Sequence, residues 1–437
     1  MVCYPEYRRI DLPWLKKIPV NWRLIRNKQF LVEKKGVVGD LSNRYTLLSL
    51  TLQGVIKRDL SKKKGKFPSS FDTYKIIAPG DFICCLFDMD ETPRTVGLSE
   101  YNGMITGAYT VFCVHGINPE FLYYYYLSLD NKKALRALYT GLRKTIKTDT
   151  FLAMKLPVPP RCEQDKIVQL LEWKLSAINK LIHIKNIQID ELEELRISQI
   201  ENVLSHNTCY LYNKPLKSVV YCNKESLSES TEDEYVFRYI DISSVDEKKG
   251  ITHYEKMKFK DAPSRARRIV HKNDIIISTV RTYLRAVTRI EDDLDVIVST
   301  GFAVLTPHSV NSKYLEYYLK SKEFCDEVIR QSVGVAYPAI DISKLMRINI
   351  RIPDYESQLS VVSQLDAYEK SINKTIDLFK DKIKYLQELK SVIISDVVTG
   401  KIDVRNVTIP EYEHVDDVMD NDSDNDDEAA EASEEEG

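Results

Sequence analysis

The chain has 437 residues, 43 % hydrophobic and 29 % charged, a length and balance that suit two or three soluble globular domains. It offers no apolar run of about 18 residues and no apolar core behind its first residues, so neither a membrane span nor a secretory leader is expected. The formal charge of −3 averages two unlike parts: 406–437 holds 14 Asp or Glu and no Lys or Arg, whereas 1–405 holds 62 basic against 51 acidic residues, a net of +11.

Along 1–158, short β-type runs such as 81–87 stand between Gly, Pro, Asn and Asp. A short helix follows, with Asn118 suited to cap it and Pro119 at its first helical position. The tyrosines at 123–126 lie within it. Next comes a long helix over 163–204, without Pro or Gly and entered after Pro159 and Pro160. In it Leu171, Ile178 and Leu192 keep a seven-residue phase and are joined by Leu175, Ile182 and Ile189.

From 209 to 352 the same grammar returns, with β-type runs such as 274–280 and a second short helix carrying Tyr314, Tyr317 and Tyr318. Their helical spacing favours core packing over base stacking. After Pro353 a second long helix is expected over 357–398, where Leu365, Ile372, Phe379, Leu386 and Ile393 recur every seven residues, and Gly400 stops it. Each long helix would run roughly 60 Å. Sustained heptads predict that the two pack on each other as a coiled coil; Lys185 and Gln199 in the first seam leave packing on a partner protein open. The tail is expected to be disordered, most clearly from Asp416 to Glu436, having high charge and few large apolar side chains.

The two halves are copies. A shift of 194 residues places Leu156-Pro157-Val158-Pro159-Pro160-Arg161-Cys162-Glu163-Gln164 on Ile350-Arg351-Ile352-Pro353-Asp354-Tyr355-Glu356-Ser357-Gln358, and 157–204 then shares 14 identities in 48 positions with 351–398. Upstream, Pro79-Gly80-Asp81-Phe82-Ile83 falls on Lys272-Asn273-Asp274-Ile275-Ile276, and Thr106-Gly107 on Thr300-Gly301. A period this long marks a duplicated domain pair rather than a solenoid. The expected fold is α+β: a globular domain at 1–158, a long helix within 159–208, a second globular domain at 209–352, a second long helix within 353–405 and an acidic disordered tail at 406–437. If the helices run antiparallel, the domains sit at the ends of a rod, related by a pseudo-two-fold axis, an arrangement suited to separated half-sites on duplex DNA.

The junction 156–168 resembles the Pro-rich turn and Glu-Gln helix start of the specificity subunits of type I restriction-modification systems. So do Asn273-Asp274-Ile275-Ile276-Ile277-Ser278-Thr279-Val280-Arg281-Thr282-Tyr283-Leu284-Arg285 and Gly334-Val335-Ala336-Tyr337-Pro338-Ala339-Ile340. The resemblance covers about 1–405. The first copy departs from the second where Cys84-Cys85-Leu86-Phe87-Asp88 replaces the Ser278-Thr279-Val280-Arg281 pattern, and the acidic tail lies outside it. The resemblance makes 1–158 and 209–352 target-recognition domains and the two long helices spacers, and implies a non-catalytic subunit in which each domain reads half of a bipartite, asymmetric DNA site. The helices would set the spacer and dock two DNA methyltransferase subunits, joined by restriction-translocase subunits. S-adenosylmethionine, ATP and Mg would bind in those partners and no cofactor in this chain.

The residues agree that chemistry lies elsewhere. There is no Asn-Pro-Pro-Tyr or Asp-Pro-Pro-Tyr, no GxGxxG after a strand, no GxxxxGK[ST] and no HExxH. His206, Cys209 and Cys222 have poor spacing for a metal and lack a fourth ligand, and Glu33-Lys34-Lys35 reads as a solvated face. Eight scattered cysteines without CxxC suit reduced thiols and a cytoplasmic protein. The basic body points to a polyanion. The candidate DNA contacts are Arg281, Tyr283 and Arg285 in a loop after a β-run, the cluster Arg265, Arg267 and Arg268, and the loop of Arg143, Lys144 and Lys147, with Lys62, Lys63, Lys64 and Lys66 as a further basic run. Arg281 could instead pair with an internal carboxylate, and the basic runs could be solvated surface. The competing function is a coiled-coil scaffold with protein-binding ends, against which the Arg-bearing loop speaks.

Overall fold

Alternating side chains of one strand in each half go to two different cores. The structure, a computed structural model, describes residues 2–58, 70–139, 144–206, 212–292, 295–334 and 337–417. The chain divides into two compact units, Met1–Ile187 with Phe379–Gly437, and Gln188–Leu378. In the first, Leu31–Lys34, Thr110–Val114, Phe82–Cys84 and Val96–Leu98 form an antiparallel sheet in that order. Phe82 and Cys84 enter a core with Phe112, Tyr125, Tyr126 and Phe151, whereas Ile83 and Cys85 enter one with Leu48, Leu50 and Val111. A strand alternates faces with period two, so a sheet covered on both sides needs the unbroken apolar run seen at 82–87.

The second unit repeats this. Val220–Cys222, Phe302–Pro307, Ile275–Ser278 and Val287–Arg289 form an antiparallel sheet in the same order. Ile275 and Ile277 pack with Tyr314, Leu315 and Leu365, and Ile276 packs on the other face with Val298 and Val304. A further sheet, Glu255–Lys258, Val236–Ile240, Val296–Ser299 and Ala266–Val270, contains the parallel pair Val236–Ile240 with Val296–Ser299. Tyr125, Tyr126, Tyr314, Tyr317 and Tyr318 are buried core residues, whereas Tyr123 and Tyr124 pack half-buried against the first core.

The repeated motifs have repeated structural causes. Gly80 and Asn273 both adopt positive φ, 84° and 72°, a region open to Gly and tolerated by Asn. The next residue's carboxylate then closes the turn, Asp81 Oδ2 accepting from Ala78 N at 2.7 Å and Asp274 Oδ2 from His271 N at 2.9 Å. Asn118 caps the helix Pro119–Asp130 by accepting from Phe121 N, and Asn311 caps Ser312–Lys320 by accepting from Lys313 N and Tyr314 N.

The long helices run Arg161–His206 and Tyr355–Val398, and the unit boundaries fall within both. In the first unit Leu170, Leu171 and Leu175 share a core with Ile394, Val397 and Val398, and Ile178 and Ile182 pack with Ile383, Leu386 and Leu389. In the second, Leu204 lies in one cluster with Val361 and Leu365, and Arg196 stands 3.9 Å from Glu369. Numbers rise on one helix as they fall on the other, so within each unit the helix segments are antiparallel. The heptad positions are unequal. Leu171, Ile178, Ile182, Leu365, Ile372 and Leu386 are buried, but Ile189, Leu192, Phe379 and Ile393 are only half-buried. Lys185 explains one of these: its ammonium lies 4.3 Å from the centre of the Phe379 ring and must keep contact with water.

The expected disordered tail needs correction at its start. Val407 and Ile409 pack on the first unit's core. Asn179 Nδ2 donates to Val415 O at 2.9 Å, Val415 N to Ser176 Oγ at 3.2 Å, and Lys180 pairs with Glu413 at 3.0 Å. Satisfied backbone groups and two apolar anchors hold 406–417 on the helices; 418–437 lies outside the described residues. Among the described residues, no helix is long and apolar enough to cross a membrane.

Candidate nucleic-acid interface

The two second-half segments that carry the family resemblance are neighbours. Beyond Ile275–Ser278, Ile340 N donates to Thr279 O at 2.9 Å and Val280 bridges Ala339. Thr279 N donates to Gly301 O at 2.8 Å. A Cβ on Gly301 would lie 2.8 Å from Ile242 Cδ1 and 3.2 Å from Val280 Cγ2, so these side chains at the loop base would have to shift to admit one. Past Val280 the chain makes one turn, Thr282–Leu284, flanked by Arg281 at φ 51° and Arg285 at φ 47°. Each such non-glycine residue costs about 1–2 kcal/mol. The turn is pinned by Thr282, buried, whose hydroxyl lies 2.8 Å from that of Ser332.

This turn displays its side chains unequally. Arg281 is exposed, and its guanidinium lies 5.1 Å from the centre of the Tyr337 ring. No carboxylate pairs with it among the described residues. Tyr283 and Tyr337 are 51 % and 67 % exposed. Arg285 is different. It pairs with Asp326 at 2.9 Å and Glu247 at 3.6 Å, so it braces the turn from within and is not a free cation. Arg265 is exposed, with its carbonyl accepting from Thr300 N at 2.8 Å, which ties the second cluster to the base of the same loop. Arg267 lies 4.9 Å from the Phe259 ring centre and donates to Ala266 O, and Arg268 Nε is buried without a hydrogen-bond partner.

The first unit builds the corresponding loop with other chemistry. Phe87 bridges Thr145, Ile146 N donates to Leu86 O at 2.7 Å, and Asp88 N to Lys144 O at 3.2 Å. Asp88 at φ 40° occupies the place of Arg281. Lys144, expected to contact DNA, is paired with Asp90 at 3.4 Å and with Glu91. The hydrogen bond to Glu91 raises its pKa, while bonds from Tyr139 and Lys144 hold the Asp90 carboxyl below its usual range. Lys147 is exposed at the start of the helix Thr148–Ala153. Arg143, the run Lys62, Lys63, Lys64 and Lys66, and Cys209 lie outside the described residues. No group of three His, Cys, Asp or Glu suited to a metal ion occurs among the described residues.

Sequence reasoning assigned no role to Tyr337, Asp326, Glu247, Asp90 or Glu91. Tyr337 carried a signal, an aromatic between Gly334 and Pro338 in the segment 334–340. The carboxylates carried none, since each lies tens of residues from its cation.

Residues 213–384 match the family model described as the type I restriction modification DNA specificity domain. The chain is 23 % identical over 288 residues to the type I restriction enzyme MjaVIII specificity subunit of Methanocaldococcus jannaschii, covering 59 % of this chain and 64 % of that protein. It is 29 % identical over 136 residues to the HindI specificity subunit of Haemophilus influenzae, covering 29 % of this chain and 30 % of that protein. The chain thus spans less than two thirds of the length of these curated relatives. A solved structure described as concerning complex assembly and conformational transition of the type I R-M system superposes with a TM-score of 0.60 at 16 % identity, over 88 % of this chain and 99 % of that one. That likeness is one of fold.

Proposed function

We propose that this chain, which carries a type I restriction modification DNA specificity domain over 213–384, is the specificity subunit of such a system and reads a bipartite, asymmetric duplex DNA site, one half by each unit. The observation that carries this is the pair of loops after Phe82–Cys84 and Ile275–Ser278: the same bridge and the same left-handed residue, but Asp88 in one and Arg281 in the other. Equal scaffolds with unequal side chains suit two different half-sites. In this reading the chain is non-catalytic and cytoplasmic. Its long helices set the unread gap and dock two methyltransferase subunits, and restriction-translocase subunits join for cleavage. S-adenosylmethionine, ATP and Mg act in those partners.

Methylome sequencing of cells expressing the chain with its methyltransferase tests the proposal. A split motif with unlike halves supports it; a continuous palindrome counts against it.

A further inference from the structure

We propose that Arg281, held over Tyr337, is a base-reading residue and that it selects a guanine in the half-site of the second unit. The inference rests on the functional reading above and names the chemistry of one position within it.

Four observations converge. First, two cations of these loops are spent, Arg285 on Asp326 and Glu247 and Lys144 on Asp90 and Glu91. Arg281, unlike these two, has no carboxylate partner among the described residues. Second, the Arg281 guanidinium centre lies 5.1 Å from the Tyr337 ring centre, a contact with the ring face that uses none of its N–H groups in an ion pair. The N–H edge of a guanidinium matches the paired O6 and N7 acceptors of guanine in the major groove. Third, the backbone is over-determined. Arg281 stands at φ 51° between the Val280–Ala339 bridge and the buried Thr282, and Thr282 N donates to Pro338 O at 3.4 Å. The Arg therefore starts from a fixed point, and less conformational entropy is lost on contact.

The fourth separates base from phosphate. Asp88 stands at the same place in the first unit, at φ 40° beside the Phe87–Thr145 bridge. A position that followed the DNA backbone in both units would be repelled by phosphate in the first. A base-reading position tolerates the reversal, because a carboxylate accepts from the cytosine amino group as an arginine donates to guanine.

The test is selection from a randomised duplex pool by the full-length chain, alone and with its methyltransferase subunits, followed by salt titration on the selected duplex. The wild type should enrich a motif with a guanine that Arg281→Ala no longer prefers, the loss at that base pair being about 5- to 150-fold with other positions unchanged. Tyr337→Phe should keep the preference and Tyr337→Ala should weaken it at that same pair. Arg281→Gln, which keeps a long polar side chain, should lose the guanine preference while binding the remaining positions. If Arg281→Ala weakens all sequences alike and lowers the salt slope by about one, Arg281 touches phosphate and the assignment is overturned. A wild-type motif that Arg281→Ala leaves intact also overturns it alone. A wild type that enriches no motif overturns the functional reading together with it.

Discussion

Gln358 Oε1 accepts a hydrogen bond from the backbone N–H of Asn311 at 2.8 Å, while its amide donates to Pro353 O at 2.9 Å. Gln164 does the same with Asn118 and Pro159, at the same two distances. One buried side chain thus joins the start of a long helix to the cap of the short helix beside it. Replacing Gln358 by Ala leaves the half-buried N–H of Asn311 and the buried C=O of Pro353 unpaired, at a cost of about 1–3 kcal/mol. Gln358→Ala should lower the melting temperature of the second unit by about 2–10 °C, read by calorimetry.

Arg285 sits between Asp326 and Glu247, so its charge is already balanced. Arg285→Ala should loosen the turn and reduce sequence discrimination, yet leave the slope of log affinity against log salt unchanged, because no phosphate contact is lost. A slope shallower by about one would return Arg285 to the phosphate contacts.

The repeat, the two long helices and their packing partners were legible because they rest on local period and on motifs that recur unchanged. Leu171, Ile178, Leu365 and Leu386 face inward as their seven-residue phase requires. What the pattern could not give is where the seam opens, since that depends on Lys185 meeting Phe379 across two segments far apart in sequence. The interface was legible as a loop and not as a set of roles. Arg281, Arg285 and Lys144 look alike in sequence, and only Asp326, Asp90 and Glu91 distinguish the free cation from the bound ones.

Glu316 supplies a pH test. Burial pushes its pKa up, but Lys320 at 2.8 Å and Arg289 at 3.2 Å outweigh this and leave it below its ordinary value of 4.5. A carboxyl lowered in the folded state contributes stability above its unfolded pKa, and that contribution is lost as pH falls through the folded value. The second unit should therefore lose stability as pH drops below 4.5. Glu316→Gln should be less stable at pH 7 and lose less over that window, as measured by urea unfolding at several pH values.

The C-terminal segment divides into a docked part and a charged remainder. Ten of its 14 acidic residues lie in 418–437. Truncation after Asp417 keeps the contacts of Val407, Ile409 and Val415 and should leave thermal stability unchanged. If the acidic remainder competes with DNA for the basic body, the same truncation should raise non-specific duplex affinity at low salt. Truncation after Arg405 removes the docked part as well and should lower the melting temperature of the first unit. Superimposable salt titrations of the full and Asp417-truncated chains would exclude the competition.

The last prediction concerns the gap between half-sites. Under the proposal that the long helices set it, four residues inserted near Ile189 lengthen the first helix by about 6 Å. They also shift its phase by about half a heptad, so the pairing of Arg196 with Glu369 must re-register while that of Ile182 with Leu386 is retained. DNA rises about 3.4 Å per base pair, so the lengthened chain should prefer a gap longer by one or two base pairs with both half-site sequences unchanged. Seven inserted residues keep the phase but add about 10 Å, near three base pairs, and the extra helical twist of that much DNA turns the second half-site away from its reader. That variant should lose more activity. Methylation assays on duplexes differing only in gap length make the comparison directly. An active four-residue variant with an unaltered preferred gap would mean that these helices are not the ruler.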